Sequence, residues 1–395
     1  MKKALAMALC VAALTSSMFA AKAKKDKKAK TPSFKVGVIY IGDENEGYTE
    51  GHMKGIQEMK KALGLTDAQI IEKKCIPEDE KAYDACVDLA EQGCNYIIAT
   101  SFGHESHLVQ VAREYPKIQF SHATGYLCAS SGMKNTHNFM PSVYQSRYVS
   151  GIVAGLKLNE MIASGKIKAA DAKIGYVGAY PFAEVISGYT SFFLGARSVC
   201  PTATMEVRYT NSWADITLEK ETADALIANK CVLISQHADT TGAPTACQAR
   251  GVPVVGYNVD MIAVAPDTAL TSAALNWGAF YTMSAKAVLA GEDFDHNWSK
   301  GYSDDAVYIT ALNPKTVPAD AKAKTDAAIA AIKNGSLKVF DTSKFTVGGK
   351  KLEDLIAAGG DYAKYAQYVK NGAFNEQNGF ASPAFDIRID GIVER

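Results

Sequence analysis

The chain has 395 residues, 48% of them hydrophobic, 21% charged and 9% aromatic, a composition that excludes bulk disorder, collagen and coiled coil. That length is more than one core comfortably serves and predicts two domains. The 42 basic residues balance 42 acidic ones, so no cationic excess is available for a run of phosphates and nucleic acid is not an expected partner.

At the N-terminus Lys2 and Lys3 precede an apolar run, Ala4 to Leu14, and small residues ending in Ala21-Lys22-Ala23, the layout of a secretory signal peptide over residues 1–23. Cleavage there leaves 39 basic against 42 acidic residues and a mildly acidic exported protein. The run is shorter than the roughly 20 residues that span a bilayer. A periplasmic or cell-envelope location, peripheral to the membrane, is therefore expected. Cys10 follows Met7-Ala8-Leu9, a poor match to a lipobox, which makes a lipid anchor there the less favoured alternative. Residues 24–33 form a lysine-rich tether.

From Phe34 apolar runs alternate with helix-like segments, the pattern of a doubly wound parallel α/β sheet. Strands are predicted at Lys35 to Ile41, Gln69 to Lys73, Tyr96 to Ala99 and Ile118 to His122. Helices fall between them at Glu50 to Leu63, Ala82 to Gln92 and His104 to Tyr115. A long crossover helix, Ser146 to Ile162, carries Gly151 and Gly155 for close packing. The alternation then repeats. Strands at Lys173 to Val177, Thr204 to Tyr209, Cys231 to Ser235 and Val252 to Tyr257 enclose helices at Pro181 to Ala196, Leu218 to Asn229 and Ala243 to Arg250. A helix at Asn276 to Ala290 and another at Ala319 to Lys333 follow. The expected organisation is an N-terminal lobe of residues 34–145 plus about 260–300, and a C-terminal lobe of 146–259 plus about 301–395, joined by a hinge over an interlobe cleft.

Seven cysteines remain beyond the signal peptide, none in C-x-x-C. An oxidising compartment favours at least one disulfide, with Cys75 and Cys86 as the preferred pair. His104 and His107 stand at i and i+3, but HExxH spacing and a third ligand are missing, so no metal site is expected. G-x-G-x-x-G, P-loop and G-x-S-x-G motifs are missing too, leaving no warrant for a cofactor or for catalytic residues.

Open parallel sheets bind ligands beyond the carboxyl ends of their strands, so the turns there are the informative residues. They alternate aromatic and hydrogen-bonding side chains: Tyr48 after the first strand, Phe102 after the third, Phe182, Asn211 with Trp213, Asp239, and Asn258 with Asp260 in the second half. Such a set suits a flat heterocycle stacked between rings and held at its edges by amides and carboxylates. His122 and His237 end strands, where a structural hydrogen bond competes with a ligand contact.

These turns resemble those of the basic membrane protein (BMP) family of ABC-transporter substrate-binding proteins, in its Med-like and PnrA-like branch. The resemblance rests on Thr100-Ser101-Phe102-Gly103, His122-Ala123-Thr124-Gly125-Tyr126, Arg147-Tyr148 with Gly151, Thr210-Asn211-Ser212-Trp213, Gln236-His237 with Asp239, Gly256-Tyr257-Asn258 with Asp260, and Asn276-Trp277-Gly278. It runs collinearly from about Phe34 to about Phe340. It implies a periplasmic-binding-protein type I fold that captures a purine base or nucleoside for an inner-membrane permease and ATPase, as a monomer and not as an enzyme. Thr49 follows Tyr48 where the nucleoside-binding branch has asparagine, and Leu275, Asn276 and Trp277 stand where that branch has a lysine, which favours a purine base or another flat heterocycle over a nucleoside. Tyr48, Phe102, Phe182, Asn211, Trp213, Asp239, Asn258, Asp260 and Trp277 are the expected ligand-binding residues. The rivals are a sensory receptor subunit of the same fold and a nucleoside-processing enzyme.

Overall fold

The computed structural model describes residues 34–377 and 379–395, so the expected signal peptide, the tether and Cys10 lie outside the described residues. Among the described residues no helix is long and apolar enough to cross a membrane.

In the first half β1 (Val36–Ile39), β2 (Ile70–Lys73), β3 (Tyr96–Ala99), β4 (Gln119–Ala123) and β5 (Thr136–Phe139) alternate with α1 (Gly47–Leu63), α2 (Glu80–Glu91), α3 (Glu105–Glu114) and the short α4 (Leu127–Ser130). The chain leaves through α5 (Val143–Ala163). It continues as β6 (Lys173–Gly178), α6 (Ala183–Val199), β7 (Thr204–Tyr209), α7 (Ile216–Ala228), β8 (Leu233–His237), α8 (Gly242–Arg250), β9 (Val254–Tyr257) and β10 (Ala269–Leu275). Next come α9 (Trp277–Ala290), β11 (Asn297–Trp298), β12 (Val307–Ile309), α10 (Ala321–Lys333) and α11 (Leu352–Ala358). A hairpin of β13 (Val369–Lys370) and β14 (Ala373–Phe374) and a last strand, β15 (Ile392–Glu394), finish the chain.

One sheet has the order β2-β1-β3-β4-β5-β11 with every neighbour parallel. The other runs β15-β7-β6-β8-β9-β10-β12, parallel except where β12 meets β10. Helices cover both faces, which is why β1, β3, β8 and β9 are buried at every residue and why β1, β3 and β9 read as apolar runs without alternation. In each sheet the strand order reverses beside one strand, β1 in the first and β6 in the second. The crevices opened at these two reversals hold the site.

Three observations differ from expectation. The segment from about 260 is expected in the first lobe, yet β10 lies inside the second sheet between β9 and the edge strand β12, and only α9 and β11 cross back. The small residues Ala269, Thr271, Ser272, Ala273 and Ala274, all buried, suit a central strand, whereas the large apolar residues of α9 (Trp277, Phe280, Tyr281) enter the first lobe's core against Ile56 and Met59 of α1. The strand β5, Thr-His-Asn-Phe, escaped notice because it is polar; its Asn138 Nδ2 donates to the buried carboxylate of Glu105 at 2.7 Å. The disulfide expectation also fails: all seven described cysteines are free, Cys75 at the surface and Cys86 fully buried among Ala82, Leu89 and Ile97. Cys86 faces inward because it lies on the apolar stripe of α2, and burial pushes its thiol up to about 12.

The crossover helix α5 packs tightly on α6 within the second lobe. A Cβ on Gly151 would come within 2.0 Å of Phe192 O, and one on Gly195 within 2.0 Å of Tyr148 O, so both helices need glycine at the crossing.

Candidate functional site

The first wall grows from the turns after β1, β3 and β4. Glu46 caps α1 by accepting from Tyr48 N at 2.7 Å and Thr49 N at 2.9 Å, which swings Tyr48 inward. The Tyr48 hydroxyl donates to Thr100 O at 2.5 Å, and its ring meets Trp277 edge-on at 5.7 Å. Phe102 opens a single turn after β3, anchored because Ser101 Oγ and Gly103 N both donate to Glu78 Oε1, at 2.6 and 2.7 Å. After β4, Glu105 accepts from Tyr126 N and Cys128 N at 3.0 Å each, and a Cβ on Gly125 would meet that carboxylate at 2.2 Å. Thr124 within this turn has φ 69°, a left-handed conformation costly for a β-branched residue, and its buried hydroxyl has no protein partner.

The second wall follows β6, β7 and β8. Phe182 stacks on Tyr180 at 5.1 Å, and Trp213 lies 5.2 Å from Tyr180 and 6.1 Å from Phe182. Phe182 reaches Phe102 of the first wall at 5.9 Å. The Gly47 N–H donates to Asp239 O at 3.0 Å, a second link across the cleft. Between the walls lies a narrow cleft, about 380 Å³ counted with its open mouth but with only about 30 Å³ accessible to the centre of a water-sized sphere, lined by Ile41, Tyr48, Ser101, Phe102, Thr124, Glu184, Trp213, His237, Asp239 and Tyr257.

Its charge lies on the second wall. Burial pushes the Glu184 carboxyl up to about 7, with the Arg147 guanidinium opposing the shift. Burial, helped by the same cation, draws His237 well below the usual imidazole range, so the ring is neutral; its Nε2 lies 3.6 Å from Glu184 Oε1, too far for a hydrogen bond. Asp239 is raised well above the usual carboxylate range by burial and by the nearby Glu46, Glu219 and Glu184, although Asn258 Nδ2 donates to it at 2.7 Å. Arg147 is fully buried behind this wall. Its Nη1 donates to Gln236 O at 2.6 Å, and the guanidinium lies 3.7 Å from the centre of the Tyr257 ring. His237 Nε2, Tyr257 Oη, Thr124 Oγ1, and Nε and Nη2 of Arg147 are buried without a protein partner. Each such group costs roughly 1–3 kcal/mol unless something else bonds to it.

Of the residues expected from sequence, Tyr48, Phe102, Trp213 and Asp239 line the cavity, Phe182 packs against the lining residues Phe102 and Trp213, and Asn258 backs Asp239. The other three lie elsewhere. Asn211 is exposed at φ 55°, occupying a left-handed turn position that asparagine tolerates better than most residues. Asp260 is exposed and accepts from Ile262 N at 2.8 Å, closing a local turn. Trp277 is buried and stacked on His52 at 3.9 Å, one layer behind Tyr48. Sequence reasoning missed Glu184, Tyr257 and Arg147. The signal for Arg147 was a single charge within the otherwise uncharged stretch Val143 to Leu156 of α5; that for Glu184 was its place two residues beyond Phe182, on the first turn of α6. His122 donates Nε2–H to Ser101 O at 2.7 Å, and His104 Nε2 lies 2.9 Å from Ile76 O, so both histidines brace turns.

A profile of the Bmp family, described as ABC transporter substrate-binding protein PnrA-like, matches residues 34–339. Over 334 residues the chain is 34% identical to a purine-binding protein of Brucella abortus, covering 82% of this chain and 90% of that protein. Solved ABC transporter solute-binding proteins of Aeropyrum pernix K1 and Conexibacter woesei DSM 14684 superpose with TM-scores of 0.64 and 0.60 at 15% and 21% identity. They cover 82% and 77% of this chain, and 96% and 98% of their own chains are matched. The fold is therefore the two-lobed periplasmic-binding-protein type I fold. The matched span starts before β1 and ends beyond α10, so it takes in both walls of the cleft: the chain belongs to the Bmp family, the PnrA-like substrate-binding proteins of ABC transporters.

Proposed function

We propose that the protein captures a purine base in the interlobe cavity outside the cytoplasmic membrane and hands it to an inner-membrane permease driven by an ATPase. The observation that carries this is the lining itself. Aromatic rings come from both lobes, while the lining residues Thr124, His237 and Tyr257 each carry a buried polar atom with no protein partner. A flat heterocycle stacks between Phe102 or Tyr48 and Trp213 and brings the hydrogen-bonding edges these atoms need. Glu184 and Asp239, both raised, hold protons more readily than ordinary carboxyls and so can donate as well as accept, which matches the paired donors and acceptors along a purine edge. The Brucella abortus relative, purine-binding by name, supports the same ligand class.

Binding without turnover is the expected behaviour. Adenine, hypoxanthine, guanine, their nucleosides and a hexose are incubated with the purified protein, then followed by melting temperature and by chromatography of the mixture. At least one purine raises the melting temperature and every compound is recovered unchanged. Stabilisation by the hexose alone would overturn the ligand class, and release of free base from a nucleoside would overturn the non-catalytic role.

A further inference from the structure

We propose that His137, Asp293 and His296 form a binding site for a divalent transition cation of the zinc class on the first lobe, separate from the interlobe cavity, none of whose lining residues it shares. His137 lies on β5; Asp293 and His296 lie on the loop between α9 and β11, and β11 pairs with β5. Each of the three offers one ligand atom, and these atoms all fall within 4.8 Å of one another.

The outer contacts prepare the two imidazoles for a metal. His296 Nδ1 lies 2.7 Å from Thr136 O, and since a carbonyl only accepts, Nδ1 carries the proton and Nε2 keeps its lone pair. That Nε2 is 3.7 Å from Asp293 Oδ1. His137 is clamped between the Phe294 ring at 3.6 Å and the His296 ring at 4.4 Å. Its Nε2 lies 3.1 Å from Gln119 Oε1 and its Nδ1 3.4 Å from Asp295 O; the neutral ring donates to one of these two oxygens and keeps a lone pair on its other nitrogen. Metal-bound histidines characteristically give their other N–H to a carbonyl or carboxylate in this way.

Two imidazole nitrogens and one carboxylate oxygen suit zinc and its neighbours better than calcium or magnesium, which require mostly oxygen ligands. Bonds of about 2.0–2.1 Å require the three atoms to draw closer together. The movable parts are at hand: the side chains of His296 and Asp293 are 37% and 76% exposed, while buried His137 serves as the anchor. Coordination tips His296 out of its stack and ties the loop to β5, reinforcing an edge where β11 contributes two residue pairs.

The test uses untagged protein stripped with EDTA, titrated with zinc sulfate by calorimetry, with the melting temperature read in parallel. One equivalent of zinc binds saturably and raises the melting temperature. His296→Gln and Asp293→Asn each weaken binding at least about tenfold and abolish the rise in melting temperature on adding zinc, read for each variant against its own metal-free value. His107→Gln and Cys75→Ser, which remove the other solvent-reachable histidine and the exposed thiol, leave binding intact. No saturation up to about 1 mM zinc, full binding by His296→Gln, or loss of binding in either control overturns the proposal.

Discussion

The two walls of the cleft are built from similar turns but do different work. The first-lobe wall is satisfied internally: Tyr48 bonds to Thr100 O, Ser101 to Glu78, and His122 to Ser101 O, leaving Thr124 as its one strained and unpartnered polar residue among those that line the cavity. The second-lobe wall gathers Glu184, His237, Asp239 and Tyr257 around a buried arginine, with protonation equilibria moved by burial. Ring stacking tolerates many heterocycles because each has a π-face, whereas a protonated carboxyl distinguishes donors from acceptors. Affinity should therefore depend on aromatic residues of both lobes, and selectivity mainly on the second.

The largest expected effect is on affinity. Trp213→Ala and Phe102→Ala should each lose roughly 1–3 kcal/mol, about tenfold or more, by analogy with bases stacked on protein aromatics. The loss should be nearly equal for adenine, guanine and hypoxanthine in titration calorimetry. A loss confined to one base would give the rings a selective role and erase the contrast between the walls.

Glu184→Gln should reorder the bases and remove a pH dependence. The carboxyl rises from an ordinary 4.5 to about 7 in the folded protein, so its contribution to stability is fully present below 4.5 and is lost as pH climbs through about 7. Glutamine carries no charge to desolvate. The variant should thus melt higher than the parent at pH 8, with the gap closing by pH 5; a constant gap would mean that Glu184 is not the titrating group. Glu219, also raised to about 7, is untouched by this comparison and titrates in both proteins.

A smaller effect is expected from Tyr48→Phe. Loss of the 2.5 Å bond to Thr100 O leaves a buried carbonyl short of a donor and should cost about 1 kcal/mol of unfolding free energy. Purine affinity should change little, because the ring stays in place. Denaturant melts and calorimetry separate the two quantities, and a tenfold affinity loss would make the hydroxyl a ligand contact.

The smallest effect belongs to the residues that the structure sets apart from the cavity. Asp260→Asn and Asn211→Asp should each alter purine affinity by less than about 0.5 kcal/mol, the range of ordinary surface changes. A large change in either would return them to the ligand.

Much of the architecture was legible before the structure. The helices of the doubly wound halves and the glycines of α5 follow from local rules, because a parallel strand buried on both faces must be apolar and a close helix crossing must be small. The polar strand β5 and the short β11 and β12 have no such signature. Half of the candidate site was legible for a similar reason: a large aromatic in a turn after a strand is conspicuous. Asn211 and Asp260 were conspicuous as well, yet they serve their own turns, since the left-handed conformation that asparagine tolerates and the local bonds that aspartate closes look the same in sequence as ligand contacts.

The sequence by itself determined the alternation of strand and helix, the family-specific turns and the charge balance, all of which are local or additive properties of the chain. Tertiary structure alone decided which turn residues share a cavity, that β10 belongs to the second sheet, and that Cys86 is buried away from Cys75. It alone brought Arg147 behind Tyr257 and His137 beside His296. Burial and proximity between residues distant in sequence set those pKa shifts, unpartnered atoms and ring stacks, and neither quantity exists until the lobes have formed.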